Sequence, residues 1–99
     1  MTEWIPKSIF AENLNTKFVF RLDAEKTIEL ELTDISEAGS PPNLEQFSLL
    51  FRGPAEFYLP QQIYPLEHER IGALSIFLVP TGRDEDGFEY EAIFNRIIS

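Results

Sequence analysis

Residues 27–33 read Thr-Ile-Glu-Leu-Glu-Leu-Thr, the cleanest alternation of apolar and charged side chains in the chain. Side chains of a β-strand point alternately to its two faces, so the isoleucine and the leucines share one face and the glutamates share the other. Such a pattern is typical of an antiparallel strand with one face on a core and one in water. The stretch therefore predicts a half-buried strand, and with it a β-rich fold.

Further strands are predicted on both sides of this stretch, at residues 16–22, 45–52, 61–68, 73–79 and 88–97. The run 73–79 is almost continuously apolar, which predicts the most buried strand of the fold. We expect this strand to end at Pro80, because proline has no N–H to donate. For the same reason Pro65 predicts an edge strand or a bulge.

The segments between the strands predict how the strands are connected. A short helix is expected over residues 6–13, with Ser8 as its N-cap and Phe10 spaced to contact Leu14. Residues 38–43 predict the longest loop, and residues 81–87 the loop of a hairpin. Short connections favour a near-sequential antiparallel meander. We therefore expect an all-β fold, a single small barrel or roll of about six strands with a short N-terminal helix, in one domain over residues 1–99.

Composition limits the classes of partner. The 99 residues are 43% apolar and 13% aromatic, enough for a packed core, and the formal net charge is −9. An acidic chain of this kind repels a phosphate backbone and an anionic membrane, so we expect no nucleic-acid or membrane partner. The chain has no cysteine, and its first residues lack the basic and apolar regions of a signal peptide. These features predict a soluble, cytoplasmic protein.

Residues 47–54, Phe-Ser-Leu-Leu-Phe-Arg-Gly-Pro, resemble a family of small bacterial all-β domains of unknown function. The resemblance continues through Leu59-Pro60-Gln61, Tyr64, Gly72, Phe77-Leu78-Val79-Pro80 and Tyr90-Glu91-Ala92-Ile93-Phe94-Asn95. It extends more faintly over residues 14–18, where the family more often carries glycine at the position of Asn15. Since these are core and turn positions, the resemblance informs on the fold and carries over no catalytic residue.

Several patterns resemble parts of chemical sites, and each has a simpler structural interpretation. Asp84 and Asp86 could gather oxygen ligands for a cation, but we interpret them as solvated residues at the tip of a hairpin. His68, flanked by Glu67 and Glu69, has the neighbours of a general base, but without a nucleophile motif it is interpreted as a surface histidine. Alternation alone explains the same-face carboxylates of two strands: Glu29 with Glu31, and Glu89 with Glu91. We predict no catalytic residue, cofactor or metal.

The candidate partner contact lies around the turn that follows residue 53. Arg52, Gln61 and Gln62 are polar residues in apolar surroundings. In the structural interpretation Arg52 pairs with a carboxylate and Gln61 holds the following loop in place. In the functional interpretation Phe57 and Tyr58 are exposed on that loop and contact another protein.

These observations rank three classes of function. The first is a non-enzymatic protein-interaction or assembly module, with another protein as partner and with self-association through the edge strand near Pro65 as a further expectation. The alternative is a small-ligand-binding barrel, for which about six strands leave little room. An enzyme ranks third, because no catalytic set is recognisable in the sequence.

Overall fold

One short helix and six strands form in the described part of the chain. The computed structural model describes residues 5–37 and 42–97. The elements are α1 (Lys7–Ala11), β1 (Lys17–Arg21), β2 (Thr27–Ser36), β3 (Leu44–Pro54), β4 (Gln62–His68), β5 (Gly72–Asp84) and β6 (Gly87–Ile97). The alternating stretch lies in β2, where Ile28, Leu30 and Leu32 are buried and Glu29 is exposed. The predicted all-β fold with an N-terminal helix is confirmed.

The strands form a closed antiparallel barrel in the order β1-β2-β3-β6-β5-β4. The predicted near-sequential meander is therefore wrong, because β3 pairs with β6 along its whole length. Residues 55–61 are too many for a tight hairpin and instead carry the chain across the end of the barrel to β4. The barrel thus consists of two three-stranded units, β1-β2-β3 and β4-β5-β6.

The barrel closes between β1 and β4. Among the described residues this junction has a single paired position, Val19 opposite Glu67. Pro65 lies beside the junction, and its Cα partner on the other side is Ser75 of β5. The predicted edge near Pro65 is therefore partial: β4 belongs to a closed barrel, but most of its β1 side has no strand partner in the described structure.

Large apolar side chains from all the strands fill the barrel. Phe18 of β1 contacts Phe51 of β3 edge to face, with ring centroids 5.3 Å apart. Phe10 of α1 covers one end, 5.4 Å from the ring of Phe94. Such burial supplies the main driving force of folding. The largest side chains that are almost fully buried are Tyr64, Tyr90, Phe10, Phe18, Phe47, Phe51, Leu30, Leu32, Leu49, Leu59, Leu66 and Leu78.

The structure corrects two predictions for β5. The strand does not end at Pro80 but continues to Asp84, because Pro80 lies next to a register shift in the β5–β6 pairing, where a missing N–H is tolerated. Nor is β5 buried on both faces. Its burial alternates, with Leu74 buried and Phe77 47% exposed, because each strand of a barrel has only one face inside.

The predictions for the helix and the loops also change in detail. Pro6, not Ser8, takes the N-cap position of α1, and Ser8 lies inside the helix. Leu14, expected to continue the helical face of Phe10, lies in the turn that follows and is partly exposed. The β5–β6 hairpin is confirmed, but its turn is only residues 85–86. Most of the predicted 38–43 loop lies outside the described residues.

Two strands change partner halfway along their length. β2 pairs with β1 over residues 27–31 and with β3 over residues 31–36. β5 pairs with β4 over residues 72–78 and with β6 over residues 79–84. In the described structure the strand edges without a partner include residues 27–30 on the β3 side of β2 and residues 72–78 on the β6 side of β5.

Candidate functional site

Three connections meet at one end of the barrel, because the strands alternate in direction. These are residues 22–26, 55–61 and 85–86, which we call the loop end. The predicted partner-contact residues Phe57, Tyr58 and Gln61 lie in the second connection, and Arg52 and Gln62 lie in the strands beside it. The structure therefore brings the predicted residues to the same end of the molecule.

The 55–61 connection is fixed by hydrogen bonds that the sequence did not indicate. The Leu59 N–H donates to the Tyr90 hydroxyl at 2.9 Å, and the Tyr64 hydroxyl donates to the Pro60 carbonyl. Leu59 itself is buried in the core. Gln61, which was expected to hold this loop, is exposed, so two core tyrosines take that role.

Phe57 and Tyr58 have different environments. Phe57 is half-buried against the core, and the Lys26 ammonium lies 5.7 Å from its ring centroid. Tyr58 is 51% exposed and contacts Phe88 edge to face, with ring centroids 5.3 Å apart. Of these two candidate contact residues, Tyr58 is the accessible one, whereas Phe57 supports the fold.

Arg52 pairs with a carboxylate, that of Asp84 at the start of the β5–β6 turn. The Arg52 Nη2 to Asp84 Oδ1 distance is 2.6 Å, and the same oxygen accepts the N–H groups of Asp86 and Gly87. Hydrogen bonding from Arg52 is the largest cause that lowers the pKa of Asp84 below its usual value. The Asp84 carboxylate thus closes the turn. Within residues 5–37 and 42–97, no three His, Asp or Glu side chains gather as metal ligands.

His68 is buried, which makes the surface-histidine interpretation wrong. Its Nδ1 accepts the N–H groups of Arg70 and Ile71 at 3.0 and 3.2 Å. Its Nε2 lies 2.8 Å from the Thr16 hydroxyl, which donates its own proton to the Asn13 carbonyl. This network assigns the proton of a neutral ring to Nε2. Burial, followed by the charge of Arg70, lowers the pKa of His68.

His68 is therefore a structural residue. Both of its ring nitrogens are engaged in holding the β4–β5 turn and the segment before β1, so neither is free to act as a general base. Two of the four paired glutamates also have a side-chain partner: Glu31 pairs with Lys17 at 3.1 Å, and Glu89 accepts from the Thr81 hydroxyl at 3.2 Å. These contacts account for side chains that alternation had placed on the outer faces.

An apolar surface covers the outside of the β4–β5 hairpin. Ile63 and Phe77 are direct cross-strand partners, 64% and 47% exposed. We call this surface the hairpin face. It consists of the outward side chains of the two paired strands, which are Ile63, Pro65, Glu67, Ala73, Ser75 and Phe77.

The hairpin face was not predicted from the sequence, because the apolar run 73–79 was interpreted as a strand buried on both faces. A signal was available in the register. Alternate side chains of a strand point to the same face. If Tyr64 and Leu66 point inward, Ile63 therefore points outward, and Phe77 points to the same face as Ser75. Each strand of a barrel has one face inside and one outside. An apolar run in such a strand therefore predicts an exposed apolar face on the outside of the barrel.

A groove lies on the opposite side of the barrel, where β2 and β3 separate. Its volume is about 730 Å³, within the range of ligand-sized clefts. The β2–β3 pairing ends at Glu31 opposite Arg52, and the groove opens beyond that pair. It is lined by Lys17, Thr27, Ile28, Glu29, Glu31, Thr33, Arg52, Gly53, Pro54 and Asp86. We call it the β2–β3 groove.

Taken together, the fold and these surfaces define a small closed all-β barrel domain with an apolar outer face and a polar groove. The chain belongs to the family described as "Domain of unknown function (DUF6916)", whose model matches residues 5–94. Neither the curated proteins nor the solved structures contain a match to the chain. The described part of the chain contains no helix with the length and apolarity needed to cross a membrane.

Proposed function

We propose that this domain is a non-enzymatic protein-interaction module and that its partner docks on the hairpin face. One observation carries the proposal: Ile63 and Phe77 lie side by side on the outside of the barrel and are each about half exposed or more. Exposed neighbouring apolar side chains with a polar rim mark interaction surfaces, because they have no role in the core. Aromatic anchors such as Phe77 are enriched at the centres of interfaces.

The charges on and around this face indicate the chemistry of the partner. Glu67 is the charged member of the hairpin face, and it pairs with Arg21 of β1 at 3.2 Å. The chain as a whole carries a net charge of −9, so two copies repel each other at long range. We therefore propose a different protein as the partner, with an apolar patch at its contact and a neutral or basic surface around it.

The strand edge next to the hairpin face supports the same proposal. Residues 72–78 of β5 pair with β4 on one side and have no described strand partner on the other. Unpaired N–H and C=O groups on such an edge favour pairing with a strand of another chain. The edge and the apolar face are adjacent, so one partner can use both.

The alternatives receive less support from the described residues. A small-ligand-binding barrel needs interior space, whereas large buried side chains, including Phe18, Phe51, Tyr64 and Tyr90, pack in the interior. For an enzyme, His68 was the candidate general base, and it is engaged at both nitrogens. We propose the cytoplasm as the setting, since the chain has no cysteine for an oxidising compartment.

Site-specific photo-crosslinking tests the proposal. A photo-crosslinking amino acid at Ser75, in the middle of the hairpin face, is used in a native lysate at low salt. We expect it to capture a protein other than the chain itself, and we expect the double variant Ile63→Ser, Phe77→Ser to lose that product. Both side chains are exposed, so the variant is expected to fold as the parent does.

Tyr58→Ser is the matched control, because it removes an exposed aromatic side chain at the loop end. It keeps the crosslinked product if the hairpin face is the contact. The proposal is overturned if Tyr58→Ser loses the product and the double variant keeps it, or if no partner is captured. It is also overturned if light scattering finds a dimer of the parent that the double variant abolishes, since the occupant is then a second copy.

A further inference from the structure

The β2–β3 groove has an unpaired strand edge as one wall. Residues 27–31 of β2 pair with β1 on one side, while pairing with β3 begins only at Glu31. In the described structure the edge formed by residues 27–30 therefore has backbone donors and acceptors that no neighbouring strand uses. An extended peptide can add to such an edge as a further antiparallel or parallel strand.

The groove has space for the side chains of an added strand. Its volume is about 730 Å³, and both Thr27 and Glu29 of the open edge line it. The opposite wall is the end of β3, formed by Arg52, Gly53 and Pro54. A peptide in this groove thus has backbone groups of β2 on one side and the end of β3 on the other.

The charges in the groove indicate which peptide fits. The two cationic side chains that line it are already engaged: Lys17 with Glu31 at 3.1 Å and Arg52 with Asp84 at 2.6 Å. Glu29 and Asp86 also line the groove, and neither has a cationic partner among the described ion pairs. An incoming lysine or arginine can therefore pair with these two carboxylates without displacing an existing ion pair.

We propose that the β2–β3 groove binds an extended, basic peptide segment of a partner protein, which adds as a strand to residues 27–30 of β2. This site goes beyond the proposed function, since it uses other residues and the opposite side of the ring of strands. β2 and β5 are three places apart in the six-stranded order. A domain with both sites can connect two partners, or hold one partner at two separate points.

Titration with a defined peptide tests this inference. The probe is a synthetic peptide of alternating lysine and valine, acetylated and amidated so that its ends carry no charge. We expect calorimetry to detect binding to the full chain and NMR to show slower hydrogen exchange at the amides of Thr27 and Glu29, which face the groove because the backbone groups of the even-numbered residues face β1. An otherwise equal peptide of alternating glutamate and valine is not expected to bind, because its charges repel Glu29 and Asp86.

Paired variants separate a specific site from general attraction to an acidic protein. The double variant Glu29→Gln, Asp86→Asn is expected to weaken binding by about threefold to tenfold, the effect of losing two exposed ion pairs. The control Glu12→Gln, Glu69→Gln makes the same change in net charge at the other end of the barrel and leaves the affinity within twofold of the parent. Equal weakening in both variants overturns the proposal.

A second probe tests strand addition itself. N-methylation at alternate residues removes the N–H donors from one edge of the lysine–valine peptide but leaves its charges unchanged. We expect this peptide to bind at least about tenfold more weakly if two backbone hydrogen bonds are lost. The inference is overturned if the methylated peptide binds as well as the parent peptide, if the glutamate peptide binds better, or if neither binds. Failure here leaves the crosslink at Ser75 unaffected, so the two proposals are tested separately.

Discussion

His68 joins two parts of the chain that are far apart in sequence. Through Nδ1 it accepts two N–H groups of the β4–β5 turn, and through Nε2 it donates to Thr16 just before β1. Its ring also contacts Phe18, with ring centroids 4.4 Å apart. A protonated ring cannot accept at Nδ1, so the neutral form is required for this set of hydrogen bonds.

The first prediction concerns pH. The pKa of His68 is lowered in the folded state from its usual value of 6.5. Near and below pH 6.5 the unfolded state therefore binds a proton at His68 more readily than the folded state does. The free energy of unfolding is therefore expected to be flat above about pH 7 and to decrease as the pH falls through 6.5. Urea unfolding at several pH values between about 5 and 8 measures this slope.

His68→Phe is the control for that slope. It retains the ring contact with Phe18 but leaves the N–H groups of Arg70 and Ile71 without their acceptor, which costs about 1–3 kcal/mol. The slope near pH 6.5 should disappear in this variant. A parent protein that becomes more stable between pH 7 and pH 5.5 contradicts the predicted role of His68.

At the scale of residues, the sequence did not predict the environment of every side chain. Asn15 has a φ of 64°, in the left-handed region that glycine and asparagine adopt more readily than other residues. His68 was misjudged because the charges of Glu67 and Glu69 suggested water. In a strand, however, the immediate neighbours point to the opposite face, so their charge says nothing about the burial of the residue between them.

Among the elements, the β5–β6 hairpin depends on a close approach to β3. Gly87 begins β6 opposite Pro54, and a Cβ added to it would lie 2.0 Å from the Gly53 carbonyl oxygen. Its φ of 157° is also one that residues with a side chain rarely adopt. Glycine is therefore required at this position, where two strands and a turn meet.

We predict that Gly87→Ala destabilises the domain by about 3 kcal/mol, because the contact with backbone cannot relax by moving a side chain. Gly82→Ala is the matched control on the same hairpin. A Cβ at Gly82 meets only the Glu89 side chain, at 3.9 Å, so the change should stay within about 0.5 kcal/mol. Thermal unfolding of both variants measures the difference. Equal losses of stability would show that the close approach of Gly87 to the Gly53 carbonyl is not the reason why glycine is required.

Element types were predicted more reliably than element ends. Each predicted strand forms, yet β5 passes through Pro80 and β3 includes Gly53 and Pro54. Proline and glycine were taken as strand ends because they are unfavourable in a regular ladder. Here the register shift near Pro80 and the tight packing of Gly53 against Leu30 and Tyr90 provide positions that suit them. These are tertiary contacts, which a local pattern does not contain.

At the scale of the whole molecule, net charge opposes the fold. The formal charge of −9 on 99 residues creates repulsion that is relieved on unfolding. The described ion pairs are partly exposed and contribute little. Screening by salt should therefore stabilise this protein, although it weakens individual ion pairs.

We predict that raising NaCl from about 10 mM to about 500 mM increases Tm by a few degrees, because the Debye length falls from about 30 Å to less than 5 Å. Differential scanning calorimetry gives the measurement. The variant Glu12→Gln, Glu25→Gln has less repulsion to screen, so its increase should be smaller. A decrease of Tm with salt in the parent would mean that the ion pairs outweigh the repulsion.

The order of the strands in the barrel could not be predicted from the sequence. Alternation predicts which residues face inward, and turn residues predict which strands form hairpins, but neither specifies that β3 lies next to β6. The same limit applies to the sites. The hairpin face was recoverable from register, whereas the β2–β3 groove exists only because β2 changes partner at Glu31, a property of barrel closure.

The closing junction between β1 and β4 has a consequence for how the chain folds. β1 with β2, and β4 with β5, are joined by short turns and can form from local sequence. The β1–β4 and β3–β6 pairings that close the ring, by contrast, join segments that lie far apart in the sequence. Non-local pairing slows folding, because the entropy of a long loop is lost before any contact compensates for it. The rate-limiting step is thus expected to be ring closure rather than formation of any hairpin.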